Sequence, residues 1–467
     1  MLLTILIIAY ILLALGLIIG LLINGVRPSK TLAWLLAIFT IPVGGILFYL
    51  MLGRNRREKK LMALREQELI YPRREIDPSY YQNSDKFKKL MHLVNSNCFF
   101  PPTPENQVSM LKDGKPTFDS IFNALQEARE FIHVQYYIFE EGDLATGLLQ
   151  LFKEKVEQGV VIRMIYDRIG SYSLSRSFLN ELQTIGVEVY PFLPFSFDRY
   201  LTSLNYRNHR KIIVVDGKTA FTGGINVSDK YLKGDGPLGM WHDMHLRIIG
   251  PAALQLDDIF RSDWFIVSQQ ALPLAFQDNS GNQENGKLVQ IVYSGPEHEF
   301  PTIEQAFLSI ISEAESYVYI TNPYIIPSQE ILKALQIVAL SGVDIRLLIA
   351  KKSDSRLVDW SVRSYWEALM KAGVRIFLFP EGFLHSKIMV SDDDISSVGS
   401  ANIDVRSFEY NYEVSALIYD TPFAQLLKHD FLSDCHDSIE LDYQTYLKRP
   451  MWHKLFEGIA RIFAPVL

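Results

Sequence analysis

The sequence predicts an α/β protein built from two similar halves behind an N-terminal hairpin of two uncharged runs. Three observations predict it. The pattern H-x-K-x4-D-x6-G-[GS]-x-N occurs twice, from His209 to Asn226 and from His385 to Asn402. The succession of helix-like and strand-like segments before the first copy returns about 180 residues later before the second, a period too long for a solenoid. Two uncharged apolar runs, 2–23 and 31–52, open the chain.

Each run would span about 33 Å as a helix, enough for a bilayer hydrocarbon core. The first has no basic leader and no small-residue cleavage site, so it reads as a retained anchor rather than a signal peptide. Arg54, Arg56, Arg57, Lys59, Lys60 and Arg65 follow the second run, while only Arg27 and Lys30 lie between the runs. That bias predicts a multi-pass protein of the cell membrane with both termini and the catalytic domains in the cytoplasm. The hairpin is set at 1–60. A polar linker, broken by Pro72 and Pro78 and carrying a short helix near 84–95, occupies 61–98.

The first α/β domain is placed at 99–275, with helical periodicity over 118–129 and 145–158 and strands over 131–139 and 160–166. A polar interdomain loop covers 276–288. The second domain, 289–447, repeats the order: a helix ending near 315, a strand over 317–322, a helix over 330–341 and a strand over 343–349. Gly159-Val160-Val161-Ile162-Arg163 matches Gly342-Val343-Asp344-Ile345-Arg346. The tail, 448–467, spaces Trp452, Leu455, Phe456, Ile459, Ile462 and Phe463 at helical intervals among cations. Such a helix suits either an anionic leaflet or the protein's own core.

Composition narrows the function classes. With 467 residues and 48% hydrophobic side chains the chain can bury two cores, and a net charge of -7 argues against a nucleic-acid partner. Cys98 and Cys435, the only cysteines, read as free buried thiols in a reducing compartment, and no His/Cys cluster suggests zinc.

The duplicated motif carries the chemistry. Two facing neutral imidazoles can attack a phosphorus and protonate the oxygen that leaves, which assigns His209 and His385. Lys211 and Lys387 would offset charge on phosphoryl oxygens, and Asn226 and Asn402 would donate hydrogen bonds to them. The run after each lysine reads as a buried strand, where residues two apart share a face. Asp216 and Asp392 complete the motif and are grouped with its catalytic set, yet they stand an odd number of steps from the histidines and should point away from the phosphate. Each half supplies one His, one Lys and one Asn, so the site should form where the halves meet.

These two motifs, with Arg207-Asn208-His209-Arg210-Lys211 and Asn402-Ile403-Asp404-Val405-Arg406-Ser407-Phe408, resemble those of the phospholipase D superfamily, and within it the bacterial cardiolipin synthases. The similarity runs over essentially the whole chain. It implies two phospholipase D-type α/β domains, each a mixed sheet flanked by helices, and transfer of a phosphatidyl group between two phosphatidylglycerol molecules, giving cardiolipin and glycerol. It implies His209 as nucleophile, held by Glu413 from the other half, and His385 as acid and then base, held by Asp243. A covalent phosphohistidine would conserve the bond energy, so no cofactor, nucleotide or metal is expected. A phospholipase D using water or another alcohol as acceptor is the alternative. Phosphatidylglycerol, cardiolipin and the bilayer are the expected partners.

Overall fold

The computed structural model describes residues 2–23, 28–49, 86–192, 206–273, 286–380 and 382–464. The expected linker up to residue 85 and most of the expected polar loop lie outside them. Residues 1–63 with 194–206 form one compact unit, and 64–193 with 207–467 form another.

In the first unit the helices are Leu2–Ile23, Pro28–Thr40 and Pro42–Phe48. The second apolar run breaks at Ile41 because Pro42 cannot donate a backbone N–H to continue the ladder. Ala14, Leu17 and Leu21 pack on Ile38, Ile46 and Tyr49, and the Tyr10 hydroxyl donates to the carbonyl of Ile38 at 3.1 Å. Among the described residues no helix is long and apolar enough to cross a membrane, several side chains of Leu2–Ile23 being outside that set.

The second unit carries the duplication. Its first half runs β1 (Thr103–Lys112), helix Gly114–Glu127, β2 (Phe131–Tyr136), helix Asp143–Glu157, β3 (Val161–Asp167), helix Arg176–Thr184 and β4 (Glu188–Phe192). Then come β5 (Arg207–Asn208), β6 (Ile212–Val215), β7 (Thr219–Gly223), β8 (Trp241–His242), β9 (Met244–Ile249) and helix Pro251–Ser268. The second half runs β10 (Lys287–Ser294), helix Thr302–Ser312, β11 (Tyr317–Thr321), β12 (Ile325–Ile326), helix Gln329–Leu340, β13 (Asp344–Ala350), helix Arg356–Lys371 and β14 (Arg375–Phe379). It continues through β15 (Phe383–Leu384), β16 (Ile388–Ser391), β17 (Ile395–Gly399), β18 (Ile403–Asp404), β19 (Asn411–Tyr419), helix Thr421–His436, β20 (Ile439–Glu440) and helix Met451–Phe463.

Strand order makes the repeat visible. From one edge the first half reads β4-β3-β2-β6-β7-β9-β1 and the second reads β14-β13-β11-β16-β17-β19-β10, the same path twice. In each, three parallel strands joined by helices meet an antiparallel meander. The two seven-strand paths join through antiparallel β1 and β10 into one continuous sheet. The fold is thus mixed α/β with a two-fold repeat, as the sequence led one to expect.

Helix Pro251–Ser268 contacts strands of both halves, and every side chain from Ala252 to Trp264 is buried, including Asp257, Asp258, Arg261 and Asp263. Buried charges need partners. Asp263 accepts from Arg210 at 2.8 Å, from Gln135 at 2.5 Å and from Asn208 at 3.0 Å, which fixes the backbone on either side of His209. Cys98 and Cys435 are buried thiols, and Cys98 Sγ donates to the carbonyl of Tyr293 at 3.3 Å.

Candidate active site

Two short parallel ladders cross between the halves and build the site. β5 pairs with β19, Asn208 opposite Tyr412, so His209 follows on opposite Glu413. β15 pairs with β8, Leu384 opposite His242, so His385 follows on opposite Asp243. The ladders are extended by His209 N–H donating to the carbonyl of Tyr412 at 2.9 Å and His385 N–H donating to that of His242 at 2.7 Å. Register therefore sets the partners. His209 Nδ1 lies 3.0 Å from a Glu413 carboxylate oxygen and His385 Nδ1 lies 2.7 Å from Asp243 Oδ2. With each Nδ1 engaged, Nε2 of each ring is left for chemistry.

The lysines turn back on the histidine backbone. Lys211 Nζ donates to the carbonyl of His209 at 2.7 Å, and Lys387 Nζ donates to that of His385, each turning back two residues along the link that leads into β6 or β16. Asn226 accepts from Ile138 N–H at 3.2 Å. Both histidines, Asn226 and Asn402 line a cavity of about 460 Å³.

Asp216 and Asp392 lie elsewhere, in agreement with their strand parity and against their grouping with the catalytic set. Both occupy left-handed backbone, at φ 51° and 54°, in the turn that ends β6 or β16. The Asp216 carboxylate accepts the N–H groups of Arg129, Glu130 and Phe131 at 2.8–2.9 Å, and Asp392 accepts those of Glu315, Ser316 and Tyr317 at the same distances. Each caps the start of its half's first parallel strand, β2 or β11.

Several contributors had no role assigned from the sequence, although Ser400 stands at the [GS] position of the motif. Ser400 donates to Glu413 at 2.5 Å, and Asn411 Nδ2 donates to its other oxygen at 3.2 Å. In the first half the position matching Ser400 is Gly224, where a Cβ would stand 2.0 Å from Asp243 Oδ1. Asp243 instead accepts Met244 N–H at 2.8 Å and the Tyr231 hydroxyl at 3.3 Å, and that hydroxyl is also 3.2 Å from His385 Nδ1. The serine-for-glycine exchange thus follows from how closely each carboxylate approaches the motif backbone. Tyr137 meets His209 edge-on at 4.7 Å, and Arg207, Arg406, Trp241 and Tyr324 also line the cavity. His242 pairs with Asp113 at 3.2 Å and His245 is buried, so neither joins the pair.

Burial is the largest influence on the charges here. It drives His209 down to about 4 against the pull of Glu413, and His385 well below its usual range, with Lys387 and Lys211 pushing the same way. It lowers Lys211 to about 7 and Lys387 to about 8, while both carboxylates oppose it. The two carboxylates diverge. Burial raises Asp243 to about 6 despite Lys387 and the Met244 amide. Burial also disfavours the charged form of Glu413, but His209, Lys211 and Ser400 outweigh it and hold its carboxyl below the usual range. The site thus favours neutral imidazoles, holds Glu413 ionised and pulls both lysines down toward neutral pH. Among the described residues no group of three or more His, Cys, Asp or Glu is arranged to hold a metal ion.

The profile of a family described as "Cardiolipin synthase, PLD-like domain" matches residues 121–264 and again 307–435. One described as "Phospholipase D-nuclease N-terminal" matches residues 3–54. The chain is 36% identical over 455 residues to a cardiolipin synthase of Geobacillus thermodenitrificans, covering 94% of this chain and 89% of that one. It is 36% identical over 454 residues to the major cardiolipin synthase ClsA of Bacillus subtilis, covering 94% of each. Among solved structures, phosphatidylserine synthase of Haemophilus influenzae superposes with a TM-score of 0.61 at 13% identity, over 81% of this chain and all of that one, a likeness of fold.

Proposed function

The chain belongs to the cardiolipin synthase family of phospholipase D-like proteins and is a phosphatidyltransferase, and from that premise we propose that it converts two phosphatidylglycerol molecules into cardiolipin and glycerol through a phosphatidyl group carried on His209. The observation that carries the reading is the pair of crossed His-carboxylate contacts, His209 with Glu413 and His385 with Asp243, at the wall of one cavity.

Neutral His209 attacks the phosphorus through Nε2 while the P–O bond to glycerol breaks. Positive charge grows on the ring, and Glu413, the carboxylate held ionised, faces it. The leaving oxygen needs a proton. A phosphodiester anion placed beside His385 raises that imidazole's affinity for one, and Asp243 steadies the imidazolium. His385 gives the proton to glycerol, then takes one from the free hydroxyl of a second phosphatidylglycerol, whose oxygen displaces His209. One phosphoester is exchanged for another through a P–N bond, so the sequence of steps balances without a nucleotide. Lys211, Lys387, Asn226 and Asn402 are assigned to the phosphoryl oxygens. Asp216 and Asp392 act on the fold.

The match at 3–54 and the uncharged helix Leu2–Ile23 support a membrane hairpin over 1–60, with the catalytic unit on the cytoplasmic side. Domain limits of 99–275 and 289–447 are proposed for the two halves.

Detergent-solubilised protein incubated with phosphatidylglycerol alone should yield cardiolipin and glycerol in equal amounts by mass spectrometry. Phosphatidic acid as the main product would replace the synthase reading with a hydrolase, and dependence on a cytidine-activated lipid would overturn the mechanism.

A further inference from the structure

The C-terminal helix Met451–Phe463 sits with its sides reversed relative to an ordinary amphipathic helix, which buries its apolar stripe. At 100° per residue, Met451, Trp452, Leu455, Phe456, Ile459, Ile462 and Phe463 fall within an arc of about 140°. All seven are exposed, from 43% for Ile459 to 78% for Met451. The opposite side holds Glu457, Ala460 and Ala464, buried at 5% exposure or less. Polar contacts hold it there. Arg449 Nη2 lies 2.8 Å from both Glu457 and Glu367, the Tyr446 hydroxyl donates to Glu457 at 3.0 Å, and Arg461 donates to the hydroxyl and carbonyl of Ser364. Glu367 and Ser364 belong to helix Arg356–Lys371, so the tail is fastened by its polar side with the apolar side facing out.

An apolar stripe of this size marks an interaction surface. Its place in the fold indicates what covers it. Trp360 of helix Arg356–Lys371 stacks on Phe456 at 5.7 Å and meets Trp452 at 6.0 Å. Ser355, the residue that caps that helix, and Val358 in its first turn line the catalytic cavity. The stripe therefore stands about one helical turn from the mouth of a site whose substrate is read as a membrane lipid. Cations outnumber acids there: Lys351 and Lys352, which lead into that helix, Arg356 at its start and Lys448, which precedes the tail helix, are exposed alongside the single exposed acid Asp354 of the lead-in. Tryptophan and phenylalanine suit the headgroup boundary, and cations beside them suit an anionic leaflet.

We propose that this stripe lies in the surface of an anionic bilayer and brings the cavity mouth to the lipid headgroups. The inference rests on the lipid-substrate reading above, and its test is separable from it. Nitroxide labels placed through Leu455→Cys, Ile459→Cys, Ile462→Cys and, as a reference, Lys448→Cys in the full chain are compared in vesicles containing phosphatidylglycerol. At 455, 459 and 462 dissolved oxygen should relax the label more than a water-soluble nickel chelate does, with the reverse at 448. Chelate access at the three stripe positions equal to that at 448 would overturn the proposal, as would dipolar broadening between copies, which would assign the stripe to a second chain. The triple variant Trp452→Ser, Phe456→Ser, Phe463→Ser should lose about tenfold or more of its activity on vesicles and stay within about twofold in micelles that disperse the lipid. Equal losses in both, or none in either, would also overturn it. Wild-type protein inactive on phosphatidylglycerol in micelles would strike the function reading instead.

Discussion

Glu413→Gln isolates the contribution of the carboxylate behind His209. The side chain is fully buried and accepts from His209 Nδ1, Ser400 Oγ and Asn411 Nδ2. Glutamine keeps the shape but replaces one acceptor oxygen by an NH2 group, so at least one of the three donors faces a donor. The loss has two parts. A hydrogen bond to a charged group contributes about 1.5–3 kcal/mol, and the charge that faces the imidazole as Nε2 bonds to phosphorus brings the total to about 2–4 kcal/mol. At 1.36 kcal/mol per factor of ten, phosphatidylation of the enzyme should slow about 30- to 1000-fold. Rapid-quench single turnovers measure it, with phosphatidylglycerol and with a p-nitrophenyl phosphatidyl ester whose leaving group needs no proton. Glu413→Gln should be slow on both. Asp243→Asn, which acts through His385, should be slow on phosphatidylglycerol but within about threefold of wild type on the nitrophenyl ester. An Asp243→Asn variant as slow as Glu413→Gln on the nitrophenyl ester would refute the division of roles, and so would a folded Glu413→Gln variant of near wild-type rate.

Further outcomes follow from the same geometry. The kcat/KM for phosphatidylglycerol in micelles should fall below about pH 6 as Asp243 gains a proton and its negative charge beside His385 is lost, and fall again above pH 7–8 as Lys211 and Lys387 lose theirs; a flat profile from pH 5 to 9.5 would contradict this. Asp216→Asn and Asp392→Asn each disturb an acceptor of three backbone N–H groups and should cost about 1–3 kcal/mol in thermal or denaturant unfolding, with kcat of the folded protein within about twofold; a large kcat loss at unchanged stability would return them to the chemistry. Gly224→Ala drives a methyl group toward Asp243, displaces the carboxylate from His385 and should lower kcat about 100-fold, whereas activity within twofold would show that the motif backbone can give way.

The sequence made the repeat legible because both copies of the motif lead into short apolar strands whose pattern survives without tertiary help. The parallel strands Phe131–Tyr136, Val161–Asp167, Tyr317–Thr321 and Asp344–Ala350 are buried runs of that kind. The strand that joins the halves is different. Thr103–Lys112 contains Pro104, Glu105, Asn106 and Gln107, and only its long-range pairing with β9 and β10 makes it a strand. Tyr231 reaches the site from a position with no local signal, and Ser400, although inside the motif, has a role that depends on where Glu413 stands in space. In the tail the stripe was readable and its direction was not. Direction is set by contacts of Arg449 with Glu457 and Glu367 and of Arg461 with Ser364, about 80 to 100 residues away for the pairs that cross to that helix.

The claim that His209 carries the phosphatidyl group is tested most directly by locating the covalent adduct. His385→Asn protein is mixed with the nitrophenyl ester, quenched at alkaline pH, where phosphohistidine survives, digested, and mapped by mass spectrometry. The adduct should be found on the peptide that contains His209, and be absent when His209 is also replaced. An adduct recovered from a His209→Asn variant on the peptide containing His385 would contradict the account and exchange the roles of the two halves.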